Sequence, residues 1–371
     1  MTELIVAREQ GLWCEPGRFF VDPWLPVERA LITHAHGDHA RAGSNRYLAA
    51  REGEQVLRAR LGDVALETLD WGERIDVNGV RVSFHPAGHV LGAAQIRLEH
   101  GGEAWVVSGD YRLEADRSCS AFEPVRCEVF VTESTFALPI YRWRPQREVI
   151  DELLRWWSQN AEVSRASVLF CHALGKAQRI LAALADAAGE ALPGVVVCHG
   201  AVESMNRAYR ASGVALPETF AAGDVERASL RRALVLAPPW AARSPWLRRF
   251  GSASDALASG WMQVRGTRRR RAIDRGFVLS DHADWPGLNA AIDATGAARV
   301  VATHGYADVL VRWLRERGLD ASRFATRYGD EDEGGEAEEA RGDGKGEGQA
   351  TASADEGDIP STSGDEERDA G

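Results

Sequence analysis

The run Thr33-His34-Ala35-His36-Gly37-Asp38-His39 places four side chains able to bind a metal within six positions, directly behind the apolar stretch Ala30-Leu31-Ile32. Neutral imidazole and carboxylate suit zinc, which takes three or four such ligands at about 2.0–2.2 Å. In a tight loop, His34 and His36 can face one way while Asp38 and His39 face another. That division suits two metals about 3.5–4 Å apart, the arrangement used for in-line displacement at phosphorus.

The same habit, an apolar strand that delivers a polar side chain at its end, recurs along the chain. Val80-Arg81-Val82-Ser83-Phe84 leads to His89, which has glycines on both sides at Gly88 and Gly92. Glycine lets a loop turn tightly and aim a side chain into a cleft, so His89 is preferred as a ligand over His85, which precedes a proline. Ala104-Trp105-Val106-Val107-Ser108 leads to Asp110, a carboxylate placed to bridge two metals. Val129-Phe130-Val131-Thr132 leads to Glu133, Phe277-Val278-Leu279-Ser280 to Asp281-His282, and Val300-Val301-Ala302-Thr303 to His304. Asp22, at the end of Phe19-Phe20-Val21, reads either as a turn-capping carboxylate or as one that orients the histidines of the next loop.

Two further features have the chemistry of phosphate recognition. Lys176 follows a strand and a glycine and opens a helix, a phosphate cradle in outline although not a GxxxxGK[ST] loop. Arg268, Arg269, Arg270 and Arg271 form the most basic run, either a solvated edge or a contact for a nucleic-acid backbone. His172 and His199 read as surface or hydrogen-bonded core residues.

The elements that must position these groups change character along the chain. Up to about residue 135 the chain reads as strands and tight turns, with a helical start after the histidine loop. From Phe136 to Gly276 helices at Glu148–Trp157 and Arg179–Leu184 alternate with strands at Ala166–Phe170, Gly194–Cys198 and Ala233–Ala237, which predicts a second, parallel sheet. A helix from about Ala307 to Arg317 closes the fold.

Composition bounds the class. The chain has 371 residues, 44% of them apolar, enough for a sizeable core. It has no apolar run of about 18 residues and no basic-then-apolar N-terminal leader, so neither a membrane span nor a secretory signal is expected. The five cysteines show no CxxC spacing, and free thiols in a reducing cytoplasm are the expectation. From Asp330 to Gly371 there are 16 acidic and 3 basic residues, so the rest of the chain carries a net +2 although the whole carries −11. Residues 329–371, rich in Gly, Ala, Ser and Glu, are predicted to be a disordered acidic tail.

With these residues assembled, His34-x-His36-x-Asp38-His39, His89 and Asp110, with Asp22 before them, resemble the ligand series of the metallo-β-lactamase fold. Glu133-Ser134-Thr135, Asp281-His282-Ala283-Asp284 and Thr303-His304-Gly305 resemble the three additional motifs of the β-CASP nucleases. Across nearly all of residues 1–328 the chain is similar to the bacterial ligase-associated DNA exonucleases. The passages Val21-Asp22-Pro23-Trp24, Leu138-Pro139-Ile140-Tyr141-Arg142-Trp143 and Ser280-Asp281-His282-Ala283-Asp284-Trp285-Pro286-Gly287 carry that similarity.

The resemblance implies an α/β protein: an αββα sandwich (residues 1–135 and 277–328) interrupted by an α/β cap at residues 136–276. It implies two zinc ions, with manganese or magnesium able to serve in activity. One would be held by His34, His36 and His89 and the other by Asp38, His39 and His304, with Asp110 bridging. A metal-bridged hydroxide would attack phosphorus, and His282, oriented by Glu133, would protonate the leaving oxygen, with Asp38 counted in the catalytic set. Lys176 and Arg268 to Arg271 would hold the substrate backbone. The implied activity is DNA exonuclease in repair, beside an ATP-dependent DNA ligase and a large helicase, in the cytoplasm. A histidine at position 304 resembles the RNA-cleaving members instead, so an RNA-processing endo- or exoribonuclease is the alternative, ahead of a small-molecule hydrolase or a non-catalytic repair scaffold.

Overall fold

Two mixed sheets packed face to face carry the ends of the strands singled out above, in a computed structural model that describes residues 3–188, 192–264 and 273–324. The Arg268–Arg271 run and the acidic tail at 329–371 lie outside the described residues.

The first sheet runs in chain order: β1 (Ile5–Arg8), β2 (Gly11–Cys14), β3 (Phe19–Val21), β4 (Arg29–Leu31), β5 (Arg46–Ala50) and β6 (Leu66–Leu69). Its first two pairings are antiparallel and the remaining three parallel. The second sheet contains β7 (Ile75–Val77), β8 (Val80–Pro86), β9 (Ala94–His100), β10 (Glu103–Val107), β11 (Val129–Glu133), β17 (Arg299–Thr303) and β18 (Asp320–Arg323) in the order β18-β17-β11-β10-β9-β8-β7. Here the pairings from β10 to β18 are parallel and the rest antiparallel. Leu31, Leu48, Phe84, Ile96, Trp105 and Val131 meet between the sheets.

Each outer face is covered by helix, because a strand buried on both sides exposes apolar side chains outward as well as inward. Helix α1 (Glu54–Leu61) sets Val56 and Leu57 on Ala30, Tyr47 and Ala49 of the first sheet. It begins after β5, so the helix expected straight after the histidine loop is displaced by a turn and a strand. The second sheet is covered by α6 (Trp285–Thr295) and α7 (Ala307–Glu316), whose Leu288, Ile292, Leu310 and Leu314 pack on Phe130 and Val300. Helix α6 is well signalled: the Asp284 side chain accepts from Gly287 N, a proline lies in the first turn, and Gly296 ends it at φ +67°. The sandwich is therefore four layers, α-β-β-α.

The intervening chain builds a separate parallel sheet: β12 (Ala166–Phe170), β13 (Val196–Cys198), β14 (Leu234–Ala237), β15 (Ala253–Ala258) and β16 (Arg275–Phe277), in the order β13-β14-β12-β15-β16. Every residue of β12 is buried, as expected of a central parallel strand. Helix α2 (Gln146–Glu162) lays Val149, Ile150, Leu153, Trp156 and Trp157 on this sheet, at the i, i+1, i+4, i+7, i+8 spacing of one helical face. Helices α3 (Lys176–Ala188) and α4 (Gly200–Ala211) complete the lobe, and a short turn of helix, α5 (Arg227–Leu230), precedes β14.

The strand expected at Phe277–Ser280 is a difference. Regular pairing stops at Phe277, opposite Ala258 of the cap-side sheet, and Val278–Ser280 is an irregular crossing into the sandwich. None of the five cysteines forms a disulfide, and four of them are buried; no helix among the described residues is long and apolar enough to cross a membrane.

Candidate metal centre

The site lies at the C-terminal ends of parallel strands from both sandwich sheets, where open α/β sheets commonly place ligands. Strand β3 leads to Asp22, β4 to the Thr33–His39 loop, β10 to Asp110 and β17 to His304, while β11 ends at Glu133 itself. Strand β8 leads to His89 through a loop whose Gly88 (φ +75°) would drive a Cβ into the Arg112 carbonyl. His85, within β8, turns to Ser83 Oγ and takes no part.

Asp110 is the hub. Its Oδ2 lies 3.4 Å from both His34 Nε2 and His39 Nε2 and 3.8 Å from His89 Nε2. Asp38 Oδ2 is 3.5 Å from His39 Nε2, and the His304 ring is centred 5.5 Å from that of His39.

Each of these histidines has one ring nitrogen engaged by an acceptor, which determines which nitrogen carries the lone pair. His39 Nδ1 donates to Asp22 Oδ2 at 2.7 Å, and Asp22 also accepts from Thr33 N and Thr33 Oγ1 at 2.8 and 2.6 Å. Because the Thr33 hydroxyl proton points at Asp22, its oxygen accepts from His34 Nδ1 at 3.1 Å. His89 Nδ1 donates to the Asp281 carbonyl at 2.9 Å, and His36 Nε2 donates to the Leu174 carbonyl at 3.2 Å. Thr303 Oγ1 gives its proton to Thr132 O and so accepts from His304 Nδ1 at 3.1 Å.

The lone pairs left over converge. His89 Nε2 and His36 Nδ1 face each other at 3.1 Å, and His34 Nε2 is buried with no hydrogen-bond partner. Facing lone pairs repel, and a cation among them converts that repulsion into coordination. Ligand atoms of His34, His36, His89 and Asp110 all lie within 4.8 Å of one another. This donor set fits a divalent metal.

Electrostatics agree with that fit. Burial holds His34 and His89 well below the usual imidazole range, and it lowers His36 and His304 too, so these rings are neutral and able to ligate. Burial opposes charge on His39 as well, but Asp38, Asp110 and Asp22 outweigh it and raise that imidazole. Asp110 is held well below the carboxylate range, against its burial, by His39 and His282.

Beside the cluster sits a second pair, the His282 ring centred 4.7 Å from that of His89. His282 Nδ1 lies 3.0 Å from Glu133 Oε2, and Glu133 Oε1 also accepts from Tyr111 N at 2.8 Å. Burial disfavours protonation of His282, yet Glu133 and then Asp110 push it up to about 9. Its main chain is pinned by Trp143, whose Nε1 donates to the His282 carbonyl at 2.9 Å.

The structure thus brings together Asp22, His34, His36, Asp38, His39, His89, Asp110, Glu133, His282 and His304. Lys176 stands apart from the expectation of a substrate contact: its ammonium is buried and lies 3.2 Å from Asp281 Oδ1. His199 caps α4 and packs between Trp240 and Trp246, away from the centre. The His172 ring, by contrast, is centred 6.2 Å from that of His36 and is lowered to about 3 by burial and by Lys176. Sequence reasoning missed Thr33, the Leu174 and Asp281 carbonyls, and Arg179, which donates to the carbonyls of Gly88 and His89 at 2.8 and 3.2 Å. Main-chain acceptors leave no mark in residue identity, so nothing in the spacing pointed to them.

No family model matches the chain. Comparison with characterised proteins finds similarity to a probable DNA ligase of Opitutus terrae, 31% identical over 314 residues, which cover 84% of this chain and 30% of that protein. Over shorter stretches it is similar to the endoribonuclease YSH1 of Saccharomyces cerevisiae (36% over 121 residues, 31% of this chain and 15% of the relative). The cleavage and polyadenylation specificity factor 73 of Drosophila melanogaster is 34% identical over 118 residues, 31% of this chain and 17% of the relative. The chain therefore spans less than a third of the length of each of these relatives. Among solved structures, a protein of unknown function from Enterococcus faecalis shares the fold, with a TM-score of 0.55 at 14% identity over 81% of this chain and 80% of that one. On these findings the chain, an α/β sandwich with an added parallel α/β lobe and a buried His/Asp cluster, has its relatives among the metallo-β-lactamase/β-CASP nucleases.

Proposed function

We propose that this chain is a metal-dependent nucleic-acid hydrolase, and specifically a DNA exonuclease that works beside an ATP-dependent DNA ligase and a helicase in repair. The observation that carries the reading is the convergence of His34, His36, His89 and Asp110, with His282 Nδ1 of the His282–Glu133 pair 4.0 Å from the same Asp110 Oδ2. The relative named as a DNA ligase supports the finer assignment, because 84% of this chain finds its counterpart within 30% of that protein. In this reading 1–135 and 277–328 form the hydrolytic sandwich and 136–276 a cap that bounds the substrate cleft.

His34, His36 and His89 would hold one cation and Asp38, His39 and His304 a second, with Asp110 between them. Divalent cations held there would act as Lewis acids and lower the pKa of water at the centre. Asp22 holds the His39 ring in the tautomer whose Nε2 faces Asp110. Glu133, which accepts from His282 Nδ1, and Asp110 favour the imidazolium, so Nε2 carries a proton as well and can deliver it to the leaving oxygen of a cleaved phosphodiester, the ring returning to its neutral Nδ1–H form. Glu133 keeps the ring in place through the transfer, itself held by the Tyr111 amide.

A second reading, hydrolysis of RNA, is favoured by the relatives named endoribonuclease and by the histidine at position 304. Matched DNA and RNA strands, labelled separately at each end and offered with zinc, manganese or magnesium, distinguish the two. Stepwise shortening of DNA that disappears in Asp110→Ala is the expected result. Internal cutting of RNA alone would replace the DNA assignment, and cleavage of neither polymer would remove both.

A further inference from the structure

One short stretch of the cap-side lobe makes three contacts with His36, Asp281 and the His89 loop. The turn between β12 and α3 offers the Leu174 carbonyl to His36 Nε2 at 3.2 Å. At the start of α3, Lys176 Nζ meets Asp281 Oδ1 at 3.2 Å, and one turn on, Arg179 donates to the carbonyls of Gly88 and His89. The turn is itself held rigid: Gln178 Oε1 accepts from Gly175 N at 2.7 Å, while Gln178 Nε2 donates to Ala173 O at 3.0 Å and Asn206 Oδ1 at 2.8 Å. Gly175, at φ +85°, lets the turn approach closely, since a Cβ there would collide with Val90 of the His89 loop.

Asp281 is the pivot of this arrangement. Its main-chain carbonyl takes the Nδ1 proton of His89 at 2.9 Å, and its carboxylate lies 3.9 Å from His282 Nε2. That carboxylate is 1% exposed and makes no aligned hydrogen bond, so its charge is sustained by charge partners, with the Lys176 ammonium the nearest full one. A carboxylate buried without such a partner is driven to move toward water. That movement displaces residue 281, and with it the acceptor that decides which nitrogen of His89 faces Asp110.

We propose that Lys176 is a positioning residue for the metal centre: by holding Asp281 it fixes the carbonyl that orients His89, and so ties the geometry of the centre to the cap-side lobe. The inference rests on the metal-centre reading of the His34, His36, His89 and Asp110 cluster, but not on which polymer is cut. It differs in kind from a substrate contact, which would leave metal binding untouched.

The test uses the full chain and Lys176→Met, Lys176→Arg and the pair Lys176→Met with Asp281→Asn. The double variant removes both buried charges and so separates a loss of site geometry from the cost of an unpaired carboxylate. Zinc affinity is measured by competition with a chromophoric chelator, the ligand geometry by the visible spectrum of the cobalt-loaded protein, and folding by thermal melting of the metal-free chain. Lys176→Met is expected to lose about 10- to 100-fold in zinc affinity, the range for residues that orient metal ligands. Its cobalt spectrum should change, its kcat should fall, and its KM for an oligonucleotide should stay near the wild-type value. Lys176→Arg is expected to recover most of the zinc affinity. Wild-type zinc affinity and spectrum in Lys176→Met and in the double variant, with only KM raised, would overturn the proposal and return Lys176 to the substrate. Loss of the folded state in all three variants would overturn it as well, because the pair would then support the lobe rather than the centre. A wild-type chain that binds no zinc would instead reject the metal-centre reading itself, a separate result.

Discussion

Glu133 Oε2 lies 3.0 Å from His282 Nδ1, although the two residues are 149 positions apart and arrive from different sheets. Glu133 ends a fully buried strand of the sandwich, and His282 enters from the irregular segment that follows the last strand of the other lobe. A buried carboxylate at this distance holds Nδ1 and favours the imidazolium, which leaves Nε2–H to donate.

Glu133→Gln therefore keeps the shape of the pair and removes its charge. Its kcat on a nucleic-acid substrate is expected to fall by about 10²–10⁴-fold, the usual worth of a positioned acid. Metal content, read by elemental analysis, should stay at the wild-type level. A kcat within a factor of two of wild type would exclude His282–Glu133 from the chemistry.

Asp22 is held at φ +44°, a backbone conformation that asparagine also adopts readily. Asp22→Asn thus isolates the acceptor: one side-chain oxygen can still take the Thr33 amide, but none remains for His39 Nδ1. Zinc affinity should weaken by about 10- to 100-fold with little change in melting temperature of the metal-free protein. Unchanged affinity would mean that Asp22 only shapes the turn.

Gly305 brings His304 to the centre by passing close to the neighbouring strand end. A Cβ at this position would sit 2.5 Å from Ser134 O and Thr135 Cα, on a backbone already at φ +61°. Gly305→Ala should cost roughly 1–3 kcal/mol or more in urea denaturation, the range for strain and overpacking at a special backbone position. It should also impair the His304 side of the centre more than the His36 side. A stability within a few tenths of a kcal/mol of wild type would show that the Ser134 and Thr135 backbone yields easily.

Removal of metal should be visible in stability as well as activity, because a cation that binds only the folded chain adds RT ln(1 + [L]/Kd), about 2.7 kcal/mol at 100 Kd. The melting temperature is expected to drop on chelation and to rise again with added zinc. His34→Ala, which removes a buried ligand atom that has no hydrogen-bond partner, should flatten that dependence. A melting temperature indifferent to zinc in the wild-type chain would contradict the coordination argued for His34, His36, His89 and Asp110.

What the sequence by itself determined is the part of this protein written in local patterns. Alternating and continuous apolar runs marked β8, β10, β11 and β17, and each run leads to a side chain that the fold brings to the candidate centre: His89, Asp110, Glu133 and His304. Glycines at 88 and 92 marked the His89 loop, and the alternation of helices and buried strands after residue 146 marked the parallel sheet. Such features are legible because strand ends and tight turns are decided by neighbours within a few residues.

Only the tertiary structure decided how those groups are held. That His282 comes from the other lobe's edge rather than from a strand of the sandwich follows from where β16 pairs, which no periodicity encodes. The spacing left Asp22 either as a turn cap or as a partner of the next loop's histidines, and only the fold places it 2.7 Å from His39 Nδ1. Lys176 carries the residue type and spacing of a phosphate contact, yet the packing of α3 buries its ammonium against Asp281, 105 positions away in the chain. The tautomers of His36 and His89 depend on the carbonyls of Leu174 and Asp281, groups that every residue possesses. Residue identity and spacing report which atoms are available, and the free energy of burying charges and lone pairs together, which exists only once distant segments meet, selects how they are used.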